Sequence, residues 1–142
     1  MAVKIKLELL TIETDGCHIL AKAKIYNHKL RLVVDTGASK TTFDKGWIEE
    51  NLPDLYLEQL DTASAGLGTN EMISAVTVLP ELKMGKLKLK YWQVAVLDLS
   101  HVRQVYQSMN YGDIQGVLGG DVLLAVKGKI DYGKLTIKCD EL

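Results

Sequence analysis

The first third of the chain alternates apolar and polar residues with a period of two. Every second residue from Val3 to Leu9 is apolar, with lysine or glutamate between, which is the pattern of a β-strand with one buried face. Asp15 and Gly16 form a strong signal for a tight hairpin turn, so we predict a return strand over residues 17–26. A further turn then leads into an apolar strand at residues 30–34. This succession predicts a protein built mainly from β-hairpins.

Three later segments have the spacing or the capping residues of short helices. A Ser or Asp stands at the start of each, where its side-chain oxygen can accept a hydrogen bond from the first turn. We therefore predict helices at residues 43–52 with Asp44 as N-cap, at 100–109 with Ser100 as N-cap, and at 122–126 with Asp121 as N-cap. Residues 129–132 and 135–139 are predicted to form a terminal hairpin.

Lysine and leucine alternate in the segment that includes Lys86, Lys88 and Lys90. Such a row could indicate a basic binding surface. We favour a strand whose solvent face carries lysine, because lysine discourages pairing between exposed strand edges. The formal net charge of −1 supports this interpretation and gives no field that would attract nucleic acid or an anionic membrane surface.

Length and composition predict one domain, residues 1–142, with enough apolar residues (47%) for a substantial core. No apolar run approaches the roughly 20 residues of a membrane span, so no membrane association is expected. The N-terminal stretch lacks a continuous apolar segment and is not a signal peptide as it stands. We expect a cytoplasmic protein, although an exported parent with a trimmed signal sequence remains open.

The cysteines and histidines do not form a recognisable metal or disulfide pattern. Cys17 and Cys139 lie near opposite ends of the chain, and His18, His28 and His101 have no ligand spacing relative to them. We therefore expect two unpaired thiols, no metal and no cofactor. A reducing compartment fits this cysteine usage best.

One acidic residue stands where a solvated turn is normally found. Asp35 directly follows the apolar run of residues 32–34, so we expect its carboxylate to be partly buried and to need hydrogen-bond donors. Gly37 allows the backbone to approach the carboxylate closely and to donate main-chain N–H groups to it. The Thr36 hydroxyl can donate and accept, which suits it to brace one loop against another.

Two motifs carry a resemblance to a known family. The pentad Asp35-Thr36-Gly37-Ala38-Ser39 after an apolar strand resembles the signature of the aspartic peptidases, with Asp35 as the catalytic residue and the other four supporting the loop. The segment Gly116-Val117-Leu118-Gly119 resembles the structural segment that crosses behind the catalytic loop in that family. Order, spacing and length resemble the single-lobe, retropepsin-like branch related to retroviral proteases. The resemblance implies a mainly β fold: a closed β-barrel with a flap hairpin and one to three short helices.

Between these motifs lies a stretch of small residues that the resemblance identifies as the flap. Gly66, Leu67 and Gly68 lie at its centre, and strand-like segments flank it. By resemblance, this hairpin covers bound peptide and excludes water. A plain surface hairpin remains the alternative, since the tyrosine of pepsin-like flaps is missing. The nearby Asp61-Thr62-Ala63 echoes the catalytic motif, but Ala63 replaces the glycine and no apolar strand precedes it, so we interpret it as part of the flap base.

The resemblance implies a mechanism that needs two carboxylates. One activates a water as general base while the other protonates the scissile carbonyl. The chain has a single intact Asp-Thr-Gly triplet, so the second carboxylate has to come from another copy of the chain. We therefore expect a homodimer in which two Asp35 residues meet on a twofold axis and hydrolyse extended peptides. No metal or cofactor is implied.

Ala38 refines the expected pH dependence. Pepsin-like members commonly carry Ser or Thr at this place, and the hydroxyl donates to the catalytic carboxylate. Alanine cannot donate, so the resemblance implies activity between mildly acidic and near-neutral pH. A different class of function also stays open: a dimeric domain of the same fold that binds peptides or proteins without cutting them.

Overall fold

The computed structural model describes residues 2–12, 16–60 and 73–142 as ten β-strands and three short helices. The elements in chain order are β1 (Ala2–Ile12), β2 (Gly16–Ile25), β3 (His28–Val34), β4 (Thr42–Asp44), α1 (Lys45–Asn51), β5 (Glu58–Gln59), β6 (Ile73–Met84), β7 (Leu87–Leu97), α2 (Ser100–Ser108), β8 (Gly116–Leu118), α3 (Gly120–Ala125), β9 (Lys129–Asp131) and β10 (Thr136–Asp140).

Six of these strands close into a barrel. Their order around the ring is β2, β3, β8, β4, β7 and β6, and β6 returns to β2 through the pairing of Lys24 with Lys83. Most neighbours are antiparallel, whereas β3 with β8 and β4 with β7 run parallel. The expected mainly β fold with a closed barrel and a few short helices is thereby confirmed.

A smaller antiparallel sheet of β1, β10 and β9 adjoins the barrel. Strand β1 serves both sheets, because its first half pairs with β10 and its second half pairs with β2. The terminal hairpin of β9 and β10 is present as predicted. This sheet contributes Val3, Ile5 and Ile137 to the main core, where each of them is at most 6% exposed.

The period-two pattern of the sequence corresponds to burial in the barrel. In β2, Ala21, Ala23 and Ile25 are buried while the alternating Lys22 and Lys24 are exposed. Burying one face of every strand removes apolar surface from water, which is the main favourable term in folding. The largest fully buried side chains are Phe43, Leu20, Ile25, Leu32, Ile48, Leu79, Leu82, Met84, Leu87, Leu89, Ile114 and Leu118.

The first predicted helix cap is confirmed. Asp44 has an extended backbone, and its carboxylate accepts a hydrogen bond from the main-chain N–H of Trp47. Helix α1 then ends at Asn51, just before Leu52 and Pro53. Ile48 is fully buried, so this residue packs α1 onto the core.

The other two predicted N-caps are wrong. Ser100 lies inside α2 as its first residue, and the carboxylate of Asp98 accepts from its N–H instead. Asp121 lies in the first turn of α3, whose N-cap is Gly119 without a side-chain cap. In both cases the true cap position is occupied by a residue that cannot cap through its side chain, which a sequence signal based on Ser and Asp cannot anticipate.

The two cysteines occupy different environments, and the structure leaves both as free thiols: Cys17 is exposed and Cys139 is buried. Burial raises the pKa of the Cys139 thiol. Among the described residues, no helix has the length and apolar character needed to cross a bilayer.

Candidate active site

The sequence motif around Asp35 forms the loop of residues 35–41, which connects β3 to β4 at one end of the barrel. Strand β8 lies between these two strands and pairs with both. Val33 stands opposite Val117 on one side, and Thr42 stands opposite the same residue on the other. The loop therefore passes over the end of β8, and the glycine-containing segment lies directly behind it.

Two glycines of this segment make the close packing possible. A Cβ atom on Gly116 would lie 2.4 Å from the carbonyl oxygen of Thr42, and one on Gly119 would lie 2.8 Å from the carbonyl carbon of Lys40. Both distances are shorter than any real Cβ contact, and both neighbours are backbone atoms with little room to move. Only glycine allows β8 to approach the loop and the start of β4 this closely.

The Asp35 carboxylate is held by the main chain of its own loop. The N–H of Gly37 donates to Asp35 Oδ1 at 2.9 Å, as expected from the motif. The Asp35 N–H donates to the carbonyl of Leu118 at 3.0 Å, so the residue is also tied to β8. Asp35 is exposed in the single chain. The expected partial burial of its carboxylate is therefore wrong for one chain, because the loop lies at the rim of the barrel.

The remaining motif residues lie around this carboxylate. Thr36 and Ser39 are exposed, and Ala38 is half-buried. The carbonyl of Ala38 accepts from the N–H of Gly120 at 2.7 Å, which ties the middle of the loop to the start of α3. The proposed flap residues, Gly66, Leu67 and Gly68, lie outside the described residues, as does the sequence echo at residues 61–64.

A polar cluster behind the loop was not predicted from the sequence. Thr41 is fully buried, and both its N–H and its hydroxyl donate to Asp121 Oδ1, at 2.9 and 2.8 Å. The Thr41 hydroxyl in turn accepts from the N–H of Gly119 at 3.0 Å. The other Asp121 oxygen accepts from the indole N–H of Trp92 at 3.2 Å. Asp121 thus joins the end of the loop, α3 and β7, instead of capping its helix.

A second network fixes the far side of the loop through Arg103 of α2. Its guanidinium donates through Nη1 to Asp44 Oδ2 at 2.6 Å and through Nε and Nη2 to both oxygens of Asp113. Asp44 is 3% exposed, and its other oxygen accepts from the N–H of Leu99 at 2.8 Å. The two carboxylates raise the pKa of Arg103, and the Arg103 hydrogen bonds hold the pKa of Asp113 below its usual value.

The other arginine also forms a network. Arg31 of β3 pairs with Glu8 through both ends of its guanidinium, at 3.1 and 2.9 Å. Its remaining nitrogen donates to the carbonyls of Tyr111 and Asp113, both at 2.7 Å. The segment before β8 is thereby held against β3.

The composition of the sequence contains one feature that indicates both arginine networks. Only two of the 17 basic residues are arginine, at positions 31 and 103. Arginine presents a rigid fork that suits paired hydrogen bonds to carboxylates, whereas lysine is a flexible point charge. A rare arginine in a lysine-rich chain therefore indicates a structural network. The sequence does not identify the partners, because they lie 10 to 82 residues away.

A tyrosine lies within electrostatic reach of the candidate catalytic carboxylate. Tyr106 of α2 is 8% exposed and packs with Leu20 and Ile114 in a second, smaller core. Its hydroxyl is 3.2 Å from His18 Nδ1. Burial, followed by the negative charge of Asp35, raises the pKa of Tyr106.

The Asp113–Arg103 pair predicts a loss of stability in acid. Because the pKa of Asp113 is lower in the folded chain than its unfolded value near 3.9, the unfolded chain binds the proton first. This contribution is complete above about pH 4 and disappears as the pH falls towards the folded pKa. The side chain is 36% exposed, so we expect this pair to contribute at most about 1 kcal/mol to the free energy of unfolding.

The measurement is urea unfolding of Asp113→Asn at pH 5 and pH 3. The free energy of unfolding of this variant should change less between the two pH values than that of wild type. An unchanged pH effect would contradict the assignment. In an Arg103→Met background, Asp113→Asn should change the pH dependence of stability less than it does in wild type, because the Arg103 hydrogen bonds are the main cause of the lowered Asp113 pKa.

Comparison with known proteins identifies the same region. A sequence model of the aspartyl protease family matches residues 21–122, which include the Asp35 loop and the glycine-containing segment. No curated protein sequence matches the chain.

Two solved structures share the fold. A retropepsin-like aspartic protease from Rickettsia conorii aligns with a TM-score of 0.58 and 22% identity, covering 99% of this chain and 91% of its own. The retroviral protease-like domain of Ddi1 from Leishmania major aligns with a TM-score of 0.55 and 12% identity, covering 87% of this chain and 88% of its own. At these identities the similarity concerns the fold.

Proposed function

The chain belongs to the aspartyl protease family, and from this premise we propose that it is an aspartic endopeptidase that acts as a homodimer. The observation that carries the proposal is the placement of Asp35. Its carboxylate is exposed at the rim of the barrel, with one oxygen held by the Gly37 N–H. A loop fixed from behind by β8 presents this group outward, where a second copy of the same loop can meet it.

Each chain supplies one of the two carboxylates in the proposed reaction. Two facing Asp35 groups share one proton, because like charges at close range cannot both ionise easily. The ionised carboxylate takes a proton from a bound water, and the water oxygen attacks the peptide carbonyl. The protonated carboxyl gives its proton to the carbonyl oxygen, which forms a tetrahedral species with two hydroxyl groups. The carboxyl that took the water proton then passes it to the amide nitrogen while the other carboxylate takes a hydroxyl proton back, so the C–N bond breaks and the amine leaves.

The surrounding residues have supporting roles in this proposal. Thr36, exposed beside Asp35, would brace the loop of the opposite subunit through its hydroxyl. Gly116 and Gly119 allow the close backbone contact behind the loop that holds Asp35 in place. An extended peptide would bind across the twofold axis mainly through main-chain hydrogen bonds, with Gly66, Leu67 and Gly68 predicted as its cover.

The proposal is tested by measuring cleavage of a mixed peptide library between pH 4 and 7.5 over a range of protein concentrations. A site shared by two chains predicts cleavage that pepstatin inhibits and a rate per chain that rises with concentration until the dimer is complete. Sedimentation at the same concentrations should show the dimer. Absence of cleavage by a confirmed dimer would favour the peptide-binding alternative over the enzyme.

Ala38→Ser is expected to move the pH–rate profile towards acid. A hydroxyl at this position would donate to the Asp35 pair and favour its ionised form, so the ionised base would persist at lower pH. Wild type should be active from mildly acidic to near-neutral pH, and the variant should lose relative activity near pH 7. Ser108→Ala, at an exposed position of α2, is the control and should leave the profile in place. A wild-type profile confined to strongly acidic pH would contradict the role assigned to Ala38.

A further inference from the structure

The lysines of this chain are unevenly distributed in space. Nine of the 15 lysines line three adjoining clefts at the end of the barrel formed by the β6–β7 turn. They come from β1, β2, β3, β6, the turn itself and β7. Lys22 and Gly85 line two of these clefts, and Lys86 also lines two, so the clefts are continuous. The net charge of −1 therefore conceals a strongly positive region.

The largest of these clefts has a volume of about 700 Å³ and is lined by Lys22, Lys24, Lys29 and Lys83 together with Arg31, Asp113 and Gln115. We call it the lysine cleft. Lys24 stands directly opposite Lys29 on β3 and directly opposite Lys83 on β6. Like charges at directly opposed positions of neighbouring strands are destabilising. These opposed lysines therefore lower the stability of the folded chain, and the fold itself does not require them.

Protection of an exposed strand edge does not explain the placement of these lysines either. Strand β2 pairs with β1, β3 and β6, so it is an interior strand. Lysines on an exposed edge would be sufficient to prevent edge-to-edge pairing, but Lys24 pairs with Lys29 on one side and with Lys83 on the other and is not on such an edge. Nearby acids provide limited compensation: Glu81 lies 3.5 Å from Lys83, and the Asp113 carboxylate is bound by Arg103.

We propose that the lysine cleft and its neighbours bind an acidic polypeptide segment. Two observations favour a polypeptide over other anions. Apart from Arg31, whose guanidinium is held by Glu8, the positive groups are lysines, and they are spread over several clefts instead of converging on one phosphate-sized point. In addition, residues 87–94 of β7 pair with β6 on one side, while β4 reaches β7 only from Ala95 onward. Within the described residues, this leaves a strand edge that can form main-chain hydrogen bonds with a peptide.

The chain already places an acidic residue beside this edge. Glu141 and Leu142 line the cleft formed by Lys86, Lys88, Lys90 and Trp92. A carboxylate and an apolar side chain are thus accommodated by the same surface that would receive the partner segment. Carboxylates spaced two residues apart on an extended segment match the spacing of Lys88 and Lys90, because alternate residues of a strand share a face.

This binding surface is separate from the proposed active site. Lys29 lies near the start of β3, and Asp35 directly follows the end of this strand. The six-residue separation corresponds to about 20 Å in an extended strand. Binding at the lysine cleft therefore does not require Asp35, and it would recruit acidic proteins without contacting the reacting atoms.

The test uses a fluorescent 12-residue polyglutamate peptide and an otherwise identical polyglutamine peptide, titrated in 50 mM salt against the full chain carrying Asp35→Asn, which removes any effect of cleavage. We expect binding of polyglutamate only, and loss of that binding as salt is raised to 300 mM. Lys24→Glu should weaken binding by about tenfold, whereas Lys134→Glu, on the exposed β9–β10 turn, should change it by less than about twofold.

The same variant provides an internal check on folding. Lys24→Glu replaces two like-charge cross-strand pairs by two opposite-charge pairs, so its urea midpoint should rise while its affinity falls. Equal affinities of Lys24→Glu and Lys134→Glu, or no binding of polyglutamate by the parent protein, would overturn the proposal. A 12-nucleotide oligothymidylate that binds more tightly than polyglutamate under the same conditions would overturn the choice of a polypeptide in favour of nucleic acid.

Discussion

Asp35→Asn is expected to reduce peptide cleavage by between about 10²-fold and 10⁴-fold, which is the range for loss of a general acid–base group. The amide has the shape of the carboxylate and retains an oxygen that can accept from the Gly37 N–H, so the loop should keep its conformation. It cannot act as a general base, and two amides cannot share a proton in the way that two carboxyls do. Cleavage rates measured with the best library peptide give the comparison. Asp140→Asn, an exposed position on β10, is the matched control and should retain wild-type activity.

Mixing the two proteins distinguishes a shared site from a site within one chain. With random exchange at a ninefold excess of Asp35→Asn, about one tenth of the wild-type chains remain paired with another wild-type chain. If both carboxylates are needed, activity per wild-type chain falls about tenfold. A site complete within one chain would leave it unchanged. Cleavage that survives in pure Asp35→Asn would refute the proposed mechanism altogether.

Arg103→Met is expected to cost about 3–5 kcal/mol of unfolding free energy, the range for removing one partner of a buried ion pair. The Asp44 side chain is buried, so it would lose its cationic partner in a place where water cannot replace it. Asp44 also caps α1 and binds the N–H of Leu99, so the damage would extend to the start of both helices. Urea denaturation at one fixed protein concentration measures the change.

Arg31→Met is the matched comparison. Its carboxylate partner, Glu8, is 34% exposed and can be hydrated when the pair is removed, so we expect a smaller cost of about 1–2 kcal/mol. Adding Asp44→Asn to Arg103→Met should restore part of the lost stability, because the buried charge is removed while an oxygen remains to cap α1. Equal costs for the two arginine variants, or no recovery in the double variant, would show that burial of Asp44 does not determine the effect.

The local pattern of the sequence was sufficient for most of the secondary structure. Alternation with a period of two predicted the strands of the first third, and Asp44 correctly marked the start of α1. These features depend on neighbouring residues, whose hydrogen bonds and burial repeat at fixed spacing. The Asp35 motif and the glycine-containing segment were likewise visible, because each is a short run with restricted backbone or side-chain requirements.

The roles of Asp121, Arg103 and Thr41 could not be predicted in the same way. Asp121 has a plausible capping position in sequence, but its carboxylate binds Thr41, 80 residues away, and Trp92. A polar side chain takes the partners that folding brings to it, and long-range partners compete with the local N–H groups on which a sequence rule depends. The same holds for the lysines, which the sequence presents as separate alternating rows with a balanced net charge.

The sequence by itself therefore determined most of the long strands with their apolar faces, and which carboxylate is the candidate for catalysis; it did not show the short strands β4, β5 and β8. The tertiary structure decided three other features: that β8 lies between β3 and β4 directly behind that carboxylate, that Asp35 is exposed in a single chain, and that lysines from five strands gather at the opposite end of the barrel. The physical reason is the separation along the chain over which each kind of interaction acts. Alternation and turn chemistry act between neighbouring residues, whereas closing a barrel brings together groups far apart in the chain, whose charges and hydrogen bonds depend only on their distance in space.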